Sequence, residues 1–290
     1  MDVGGYRLHL NTTGAGAPTV ILDAGWSDCS LNWCLVQPEV AKFARVCSYD
    51  RAGTGWSDGG PSPRSSLQIV RELHTLLKNA EVPGPYVLVG HSFGGGNVRL
   101  FAHEYPLEVA GLVLVDSVAE DQWTRLPESV KRLYARMQQQ LRDGRPLSRF
   151  GIIRLFYLRP NPKLPVATQA ADVAVRSRTP YLDTICREWE LIANESAEQV
   201  RAATPLPSVP LAVLTAGQHG DRPPPGVSAE DFARWNALLR ELQANLANLC
   251  PHGVQLVVTN STHVMQLDQP GVVVEAIRQV VVSARGKGPP

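Results

Sequence analysis

The segment around Ser92 restricts the fold of this chain more than any other. An apolar run, Tyr86-Val87-Leu88-Val89, is followed at once by Gly90-His91-Ser92-Phe93-Gly94 and then by a run of helical character at 97–104. The pattern G-x-S-x-G between a strand and a helix is typical of a sharp turn that carries a serine at its tip. Glycines two positions before and after the serine let the chain pass close to itself. The sequence therefore predicts a buried strand, a strained turn and a helix, in that order.

Short apolar strands alternate with helix-period segments along most of the chain. This pattern predicts an α/β fold in which a mostly parallel central sheet has helices on both faces. The predicted strands are 6–10, 19–22, 46–49, 86–89, 112–115, 211–214 and 254–258. The predicted helices are 31–43, 66–77, 97–104, 231–248 and 271–282.

The alternation breaks once, between Ser117 and Val209. The strand signal disappears there, and the sequence becomes helical and rich in aromatic and long apolar residues. An insertion of this size between two core strands is better explained as a helical cap than as a loop. We therefore expect a core formed by residues 1–116 and 210–290, with a cap at 117–209 over the carboxyl ends of the strands.

Composition narrows the classes of partner. The chain has 290 residues, 44% of them hydrophobic, and a net charge of +1, so no charged field favours binding to nucleic acid or to a membrane. The first ten residues lack a basic segment followed by an apolar one, and no run approaches the length of a membrane span. We expect a cytoplasmic protein that is a monomer or a small homo-oligomer.

The five cysteines form an odd and scattered set. They are Cys29, Cys34, Cys47, Cys186 and Cys250. Without a C-x-x-C pair, this spacing favours buried free thiols over a disulfide framework or a zinc site. A bridge between Cys29 and Cys34 is the one pairing left open.

The serine needs a base. A serine hydroxyl is a weak nucleophile at neutral pH and requires a neighbouring base that a carboxylate orients. His263 follows the last predicted strand and precedes the last predicted helix, which puts it at the same edge of the sheet as Ser92. The other six histidines lie in strands or helices, at the opposite edge, beside the serine, or in another loop. We predict that His263 is the general base.

Two aspartates compete for the role of the acid. Asp116 directly ends the predicted strand 112–115, and Asp221 lies in the loop after strand 211–214. Either could reach His263, because groups at the carboxyl ends of parallel strands converge. Asp116 is favoured because a strand end holds a side chain rigidly. If Asp116 instead capped the following helical segment, Asp221 would be the acid.

Acyl transfer also needs donors for the negative charge that develops on the carbonyl oxygen. One predicted donor is the backbone N–H of Phe93, immediately after Ser92. The second is the backbone N–H of Trp26, in the loop Asp23-Ala24-Gly25-Trp26 after an early strand. The Trp26 side chain could at the same time form a wall of the pocket.

Several segments together resemble those of the α/β-hydrolase family, and the resemblance covers nearly the whole chain. They are Ala24-Gly25-Trp26, the segment 50–58, the turn at Ser92, and His263 followed by Asp268-Gln269-Pro270. Segment 50–58 is similar to the family's D-x-x-G-x-G-x-S turn, whose role is mainly structural. Many relatives carry an aspartate where this chain has Gly220, three residues after the glycine ending the penultimate core strand. Some relatives take their acid after the sixth strand, which is a second reason to prefer Asp116.

The resemblance implies no metal and no organic cofactor. The sequence also lacks the patterns G-x-x-x-x-G-K-[ST], H-E-x-x-H and G-x-G-x-x-G, so nucleotide and zinc chemistry have no support.

The main hypothesis is a serine hydrolase that cleaves carboxylic esters of small to medium, hydrophobic molecules. The same residues could hydrolyse a lactone, an amide or a carbon–carbon bond. A serine at the turn argues against opening of epoxides or haloalkanes, for which related enzymes use an aspartate there. A different class of hypothesis is a binding or receptor protein that keeps the fold without turnover.

Overall fold

A single sheet of seven strands forms the centre of the molecule. The computed structural model describes residues 1–148, 159–218, 220 and 222–286. The strands are β1 (Leu10–Thr13), β2 (Thr19–Asp23), β3 (Val46–Tyr49), β4 (Tyr86–His91), β5 (Val109–Val115), β6 (Leu211–Ala216) and β7 (Val254–Val258). Their order is β1-β3-β2-β4-β5-β6-β7. Only β1 is antiparallel to its neighbour, so the predicted mostly parallel α/β fold is confirmed.

Eleven helices are described around this sheet within the described ranges. They are α1 (Gln37–Val40), α2 (Ser66–Asn79), α3 (Phe93–Glu104), α4 (Gln122–Arg125), α5 (Glu128–Ser148), α6 (Val166–Arg176), α7 (Thr179–Ile192), α8 (Glu195–Ala202), α9 (Ala229–Ala247), α10 (Met265–Asp268) and α11 (Pro270–Gly286).

Alternation along the strands divides the core into two layers. Successive side chains of a strand point to opposite faces. In β4, Leu88 packs into one cluster with residues of α2, α3 and α9. Its neighbours Val87 and Val89 pack into the other cluster, with residues of α1 and α11. Helices therefore cover both faces, and the continuous apolar strands reflect burial on both sides.

Two predicted elements are wrong in position or continuity. The first strand begins at Leu10 rather than at Tyr6, because the N–H groups of Arg7 and His9 bond to the side chains of Asp58 and Ser57 instead of to a strand. The predicted helix 31–43 is a 3₁₀ turn, Ser30–Trp33, followed by the short α1. Pro38, near the start of α1, lacks the N–H that a continuous helix would use there.

The segment between β5 and β6 carries α4 to α8, and its described residues include no strand. This agrees with the helical character that the sequence predicts for it. None of the five cysteines forms a disulfide bond within the described residues, which agrees with the predicted thiols. No described helix has the length and apolar content needed to cross a lipid bilayer.

Strand β7 forms one edge of the sheet and is poorly covered. It pairs only with β6, and Val254 and Leu256 are 58% and 50% exposed. The loop that follows β7 carries His263. The predicted base therefore follows an exposed edge strand of the sheet.

Candidate active site

Ser92 lies in a strained turn between β4 and α3. Its backbone angles are φ 51° and ψ −116°, a conformation that costs a residue with a Cβ on the order of 1–3 kcal/mol. Hydrogen bonds hold it there. The Ser92 N–H donates to the carbonyl of Val115 at 3.1 Å, and its own carbonyl accepts from Gly95 and Val118. The hydroxyl is thus presented at the N-terminus of α3, where the helix dipole favours negative charge.

The two glycines of the motif are required by close backbone approach. A Cβ on Gly90 would lie 2.4 Å from the carbonyl oxygen of Gly94. One on Gly94 would lie 2.5 Å from the carbonyl oxygen of Asp23 and 2.7 Å from that of Ala24. The turn therefore packs directly against the loop after β2, and any larger residue would separate them.

Asp116 and His263 lie in contact. Asp116 follows β5 with φ 42°, and its Oδ2 is 2.6 Å from Nδ1 of His263. Its Oδ1 accepts the N–H of Ala216, at the end of β6, at 3.0 Å. The carboxylate is therefore fixed from two sides. The alternative acid, Asp221, lies outside the described residues.

The contact between Asp116 and His263 changes the pKa of the imidazole. Desolvation lowers the pKa of His263, but the hydrogen bond that it donates to Asp116 and the charges of Asp116 and Asp28 outweigh it, so the pKa is raised above that of an ordinary histidine. The carboxylate is 5% exposed, whereas half of the His263 side chain is accessible. Because Nδ1 faces Asp116, Nε2 is left for a second partner.

His263 lies beside the chain neighbour of Ser92. The rings of His91 and His263 are 4.7 Å apart between centroids, and Nε2 of His91 is 2.8 Å from the backbone carbonyl oxygen of His263. Among the described residues, the Ser92 hydroxyl makes no hydrogen bond, to His263 or to any other group. Such contacts often tighten only when substrate binds.

The predicted oxyanion donors are unpaired. In the described ranges, no acceptor is bonded to the backbone N–H of Trp26 or to that of Phe93. The loop of Trp26 touches the turn of Ser92 through the approach of Gly94 to Asp23 and Ala24. Two free N–H groups therefore flank the serine turn.

Comparison with known proteins identifies the family to which this chain belongs. A model of the alpha/beta hydrolase family matches residues 16–276. The chain belongs to the alpha/beta hydrolase family. One curated relative, a 2-hydroxymuconate semialdehyde hydrolase from Pseudomonas sp. strain CF600, is 32% identical over 115 residues, which are 39% of this chain and 41% of that protein. The chain spans between 15% and 54% of the length of the first curated relatives that it matches.

Solved structures share the fold of this alpha/beta hydrolase. The epoxide hydrolase CorEH superposes with a TM-score of 0.73 at 19% identity and covers 97% of this chain and 96% of its own. A thermophilic esterase from Thermogutta terrifontis superposes with a TM-score of 0.68 at 22% identity and covers 96% and 94%. At these identities the likeness establishes the architecture only.

An apolar cluster lies beside the nucleophile turn of this alpha/beta hydrolase. Phe93 packs with Ile69 and Ile192, and three half-buried tryptophans complete the group: Trp26, Trp123 and Trp189. The rings of Trp26 and Trp189 are 4.4 Å apart between centroids. Trp189 also contacts Trp123 and Tyr134, so aromatic side chains of the segment between β5 and β6 pack both on one another and on the core residue Trp26.

Asp28 also lies at this site, although it is not among the residues predicted from the sequence. Its Oδ2 is 3.7 Å from Nδ1 of His91, and its charge contributes to the raised pKa of His263. A signal was present, because Asp28 follows Trp26 in a loop already assigned to the site. Across the described ranges, no group of three or more His, Cys, Asp and Glu side chains is arranged to hold a metal ion.

Proposed function

We propose that this protein is a serine hydrolase that cleaves carboxylic esters of small to medium, hydrophobic molecules. Ser92 is the nucleophile, His263 the general base and Asp116 the acid of the triad. The observation that carries the proposal is the 2.6 Å contact of Asp116 with Nδ1 of His263, at the sheet edge that holds the strained Ser92. Imidazole and carboxylate in this arrangement activate a hydroxyl.

The reaction proceeds in two halves. Ser92 Oγ attacks the ester carbonyl while Nε2 of His263 takes its proton, and Asp116 stabilises the imidazolium. The imidazolium then gives the proton to the departing alcohol, which leaves an acyl group on Ser92. A water molecule, deprotonated by His263, attacks this acyl group, and the returning proton regenerates the serine as the acid departs.

The unpaired N–H groups of Trp26 and Phe93 support stabilisation of the tetrahedral intermediates. Each N–H would donate to the oxyanion, and the N-terminus of α3 adds a favourable dipole. Loss of one such donor costs a serine hydrolase about 100-fold to 1,000-fold in kcat.

The cluster of Phe93, Ile192 and the three tryptophans supports a hydrophobic acyl or alcohol group. It combines core residues with Trp123, Trp189 and Ile192 from the segment between β5 and β6. We therefore propose that residues 117–209 form a cap that covers the substrate. Chain length of the preferred ester depends on this cap.

Hydrolysis of p-nitrophenyl esters of graded chain length tests the proposal. We expect turnover by the wild type, and a loss of about 10⁴-fold or more in Ser92→Ala. A fluorophosphonate probe should label Ser92 in the wild type alone. The binding-protein hypothesis would instead be supported by a wild type that neither turns over esters nor reacts with the probe.

Hydrolysis of a carbon–carbon bond is the second candidate. It is favoured by the 32% identity to a 2-hydroxymuconate semialdehyde hydrolase over 115 residues. That activity would be indicated if a dienol semialdehyde were cleaved with a kcat/KM at least tenfold above that for the best ester. The same Ser92→Ala protein serves as its control.

A further inference from the structure

Arg51 is buried under the loop that follows β2, and its side chain donates four hydrogen bonds. Its side chain is 2% exposed. Nη1 donates to Asp23 Oδ1 at 2.9 Å and to the Ala24 carbonyl at 2.7 Å, and Nη2 donates to the Gly25 carbonyl at 2.6 Å. Nε donates to Glu188 at 3.0 Å. A planar guanidinium can hold all four acceptors at once, which an ammonium cannot.

The carbonyl of Gly25 and the N–H of Trp26 belong to one peptide unit. A trans peptide is planar, and its C=O and N–H point in opposite directions. Arg51 donates to the oxygen of this unit at 2.6 Å and the Asp28 N–H donates to it at 3.2 Å. The shorter, charge-assisted bond fixes the plane in which the Trp26 N–H points away from the guanidinium. A charge-assisted hydrogen bond to the oxygen also polarises the unit and strengthens the N–H as a donor.

Arg51 also lies near the second donor. Its guanidinium carbon is 5.4 Å from the centroid of the Phe93 ring, and the N–H of Phe93 is the other proposed oxyanion ligand. Burial lowers the pKa of Arg51, but the charges of Glu188 and Asp23 raise it overall. The cation is therefore permanent.

Helix α7 contacts the same loop directly at two points and indirectly, through Arg51, at a third. The hydroxyl of Tyr181 donates to the Ser27 carbonyl at 2.9 Å, the indole N–H of Trp26 donates to the Ile185 carbonyl at 2.9 Å, and Glu188 binds Arg51. Positions 181, 185 and 188 are four and three residues apart, so they form one stripe on the helix. One face of α7 therefore packs against the loop.

We propose that Arg51 is a positioning residue for ester cleavage: it orients and polarises the Gly25–Trp26 peptide unit, and Glu188 fixes it to α7. The inference rests on the proposed function, since it needs the Trp26 N–H as an oxyanion ligand. Movement of α7 on substrate binding would then carry the donor with it. A buried ion pair with a structural role alone would affect folding but not the chemical step.

Arg51→Lys, with Arg64→Lys as the matched control, separates the two roles. Arg64 is also buried and paired with a carboxylate, that of Glu72, at 2.9 Å between Nη2 and Oε2, but it does not contact the loop. Both variants should lower the Tm. In Arg51→Lys we expect kcat for an activated ester to fall about 100-fold, as when one oxyanion donor is lost, with KM changed less than about threefold because the interaction acts on the transition state. Arg64→Lys should retain kcat within about twofold.

A transition-state analogue gives a second readout. A trifluoromethyl ketone forms a tetrahedral adduct with the serine, so its Ki should rise by the factor by which kcat falls in each variant. Glu188→Gln keeps an acceptor for Arg51 and removes one buried charge, and about a tenfold loss in kcat is expected; it remains informative if Arg51→Lys does not fold.

The results of these experiments show separately whether the role of Arg51 and the proposed esterase function are correct. If the wild type shows no Ser92-dependent ester cleavage, the proposed function fails and the inference fails with it. If that cleavage is present but Arg51→Lys and Glu188→Gln keep wild-type kcat and Ki, only the inference is overturned. An equal loss of kcat in Arg51→Lys and Arg64→Lys would overturn it too.

Discussion

Asp116 Oδ2 and His263 Nδ1 are 2.6 Å apart, although 147 positions separate the two residues in the sequence. The other oxygen of Asp116 is held by the N–H of Ala216, so each oxygen has a different partner. Because the two oxygens have different partners, the effect of a substitution at Asp116 depends on which of the two hydrogen bonds the new side chain can still make.

Asp116→Asn should lower kcat by about 10⁴-fold while the protein stays folded. The amide oxygen can replace Oδ1 at Ala216, which leaves the amide NH₂ facing Nδ1 of His263. Nδ1 must then accept, and the proton moves to Nε2, where it blocks the base. Ester hydrolysis measures the loss. Asp221→Asn is the control and should retain activity; the reverse result would make Asp221 the acid.

The pH dependence of kcat/KM should show a rising limb with its midpoint above pH 6.5, the ordinary value for histidine. His263 accepts a proton only when it is neutral, and the hydrogen bond and charge of Asp116 raise its pKa. Activity is therefore lost as the pH falls through this raised value. A midpoint below 6.5 in the wild type would contradict the assignment, whereas Asp116→Asn should move it downwards.

Ser92→Gly should stabilise the protein by roughly 1 kcal/mol. The positive φ of Ser92 costs a residue with a Cβ about 1–3 kcal/mol, and glycine would relieve this strain. The greater conformational freedom of glycine in the unfolded chain offsets about 0.5–1 kcal/mol of the stabilisation. Urea unfolding measures the difference. Ser92→Ala is the matched control because it removes the hydroxyl and keeps the Cβ. Equal stability of the two variants would show that the turn is unstrained.

Gly94→Ala should destabilise the fold by about 1–3 kcal/mol and reduce activity, because the new Cβ would lie 2.5 Å from the Asp23 carbonyl oxygen. Gly96→Ala, two residues along the same helix, is the control. Its Cβ would meet only Val118 and Val200 at 3.4 Å, so we expect little change. Thermal melting and ester hydrolysis of both variants check this, and similar Tm values would argue against the close approach.

The proximity of Asp116 and His263 was predictable because both follow parallel strands, whose carboxyl ends meet at one edge whatever the detailed packing. The position of Ser92 followed for the same reason. Their catalytic roles stay predictions. The contact of Arg51 with Glu188 could not be foreseen, since it depends on how α7 docks across 137 positions of sequence. The glycines of segment 50–58 predict a turn, but they carry no information on which groups the arginine of that turn contacts.

The wrong position of the first predicted strand has a physical cause. Residues 6–9 have the composition of a strand, but side chains of Ser57 and Asp58 occupy the N–H groups of His9 and Arg7. Such a tertiary preference is invisible in a short window of sequence.

The edge position of β7 has a consequence for how activity responds to heat. Fraying of an edge strand requires the loss of one set of ladder bonds only, so it occurs at lower free energy than global unfolding. Release of β7 would displace His263 while β4 and Ser92 remain in place. Inactivation should therefore precede the cooperative melting transition, and amides of β7 should exchange with deuterium faster than those of β4.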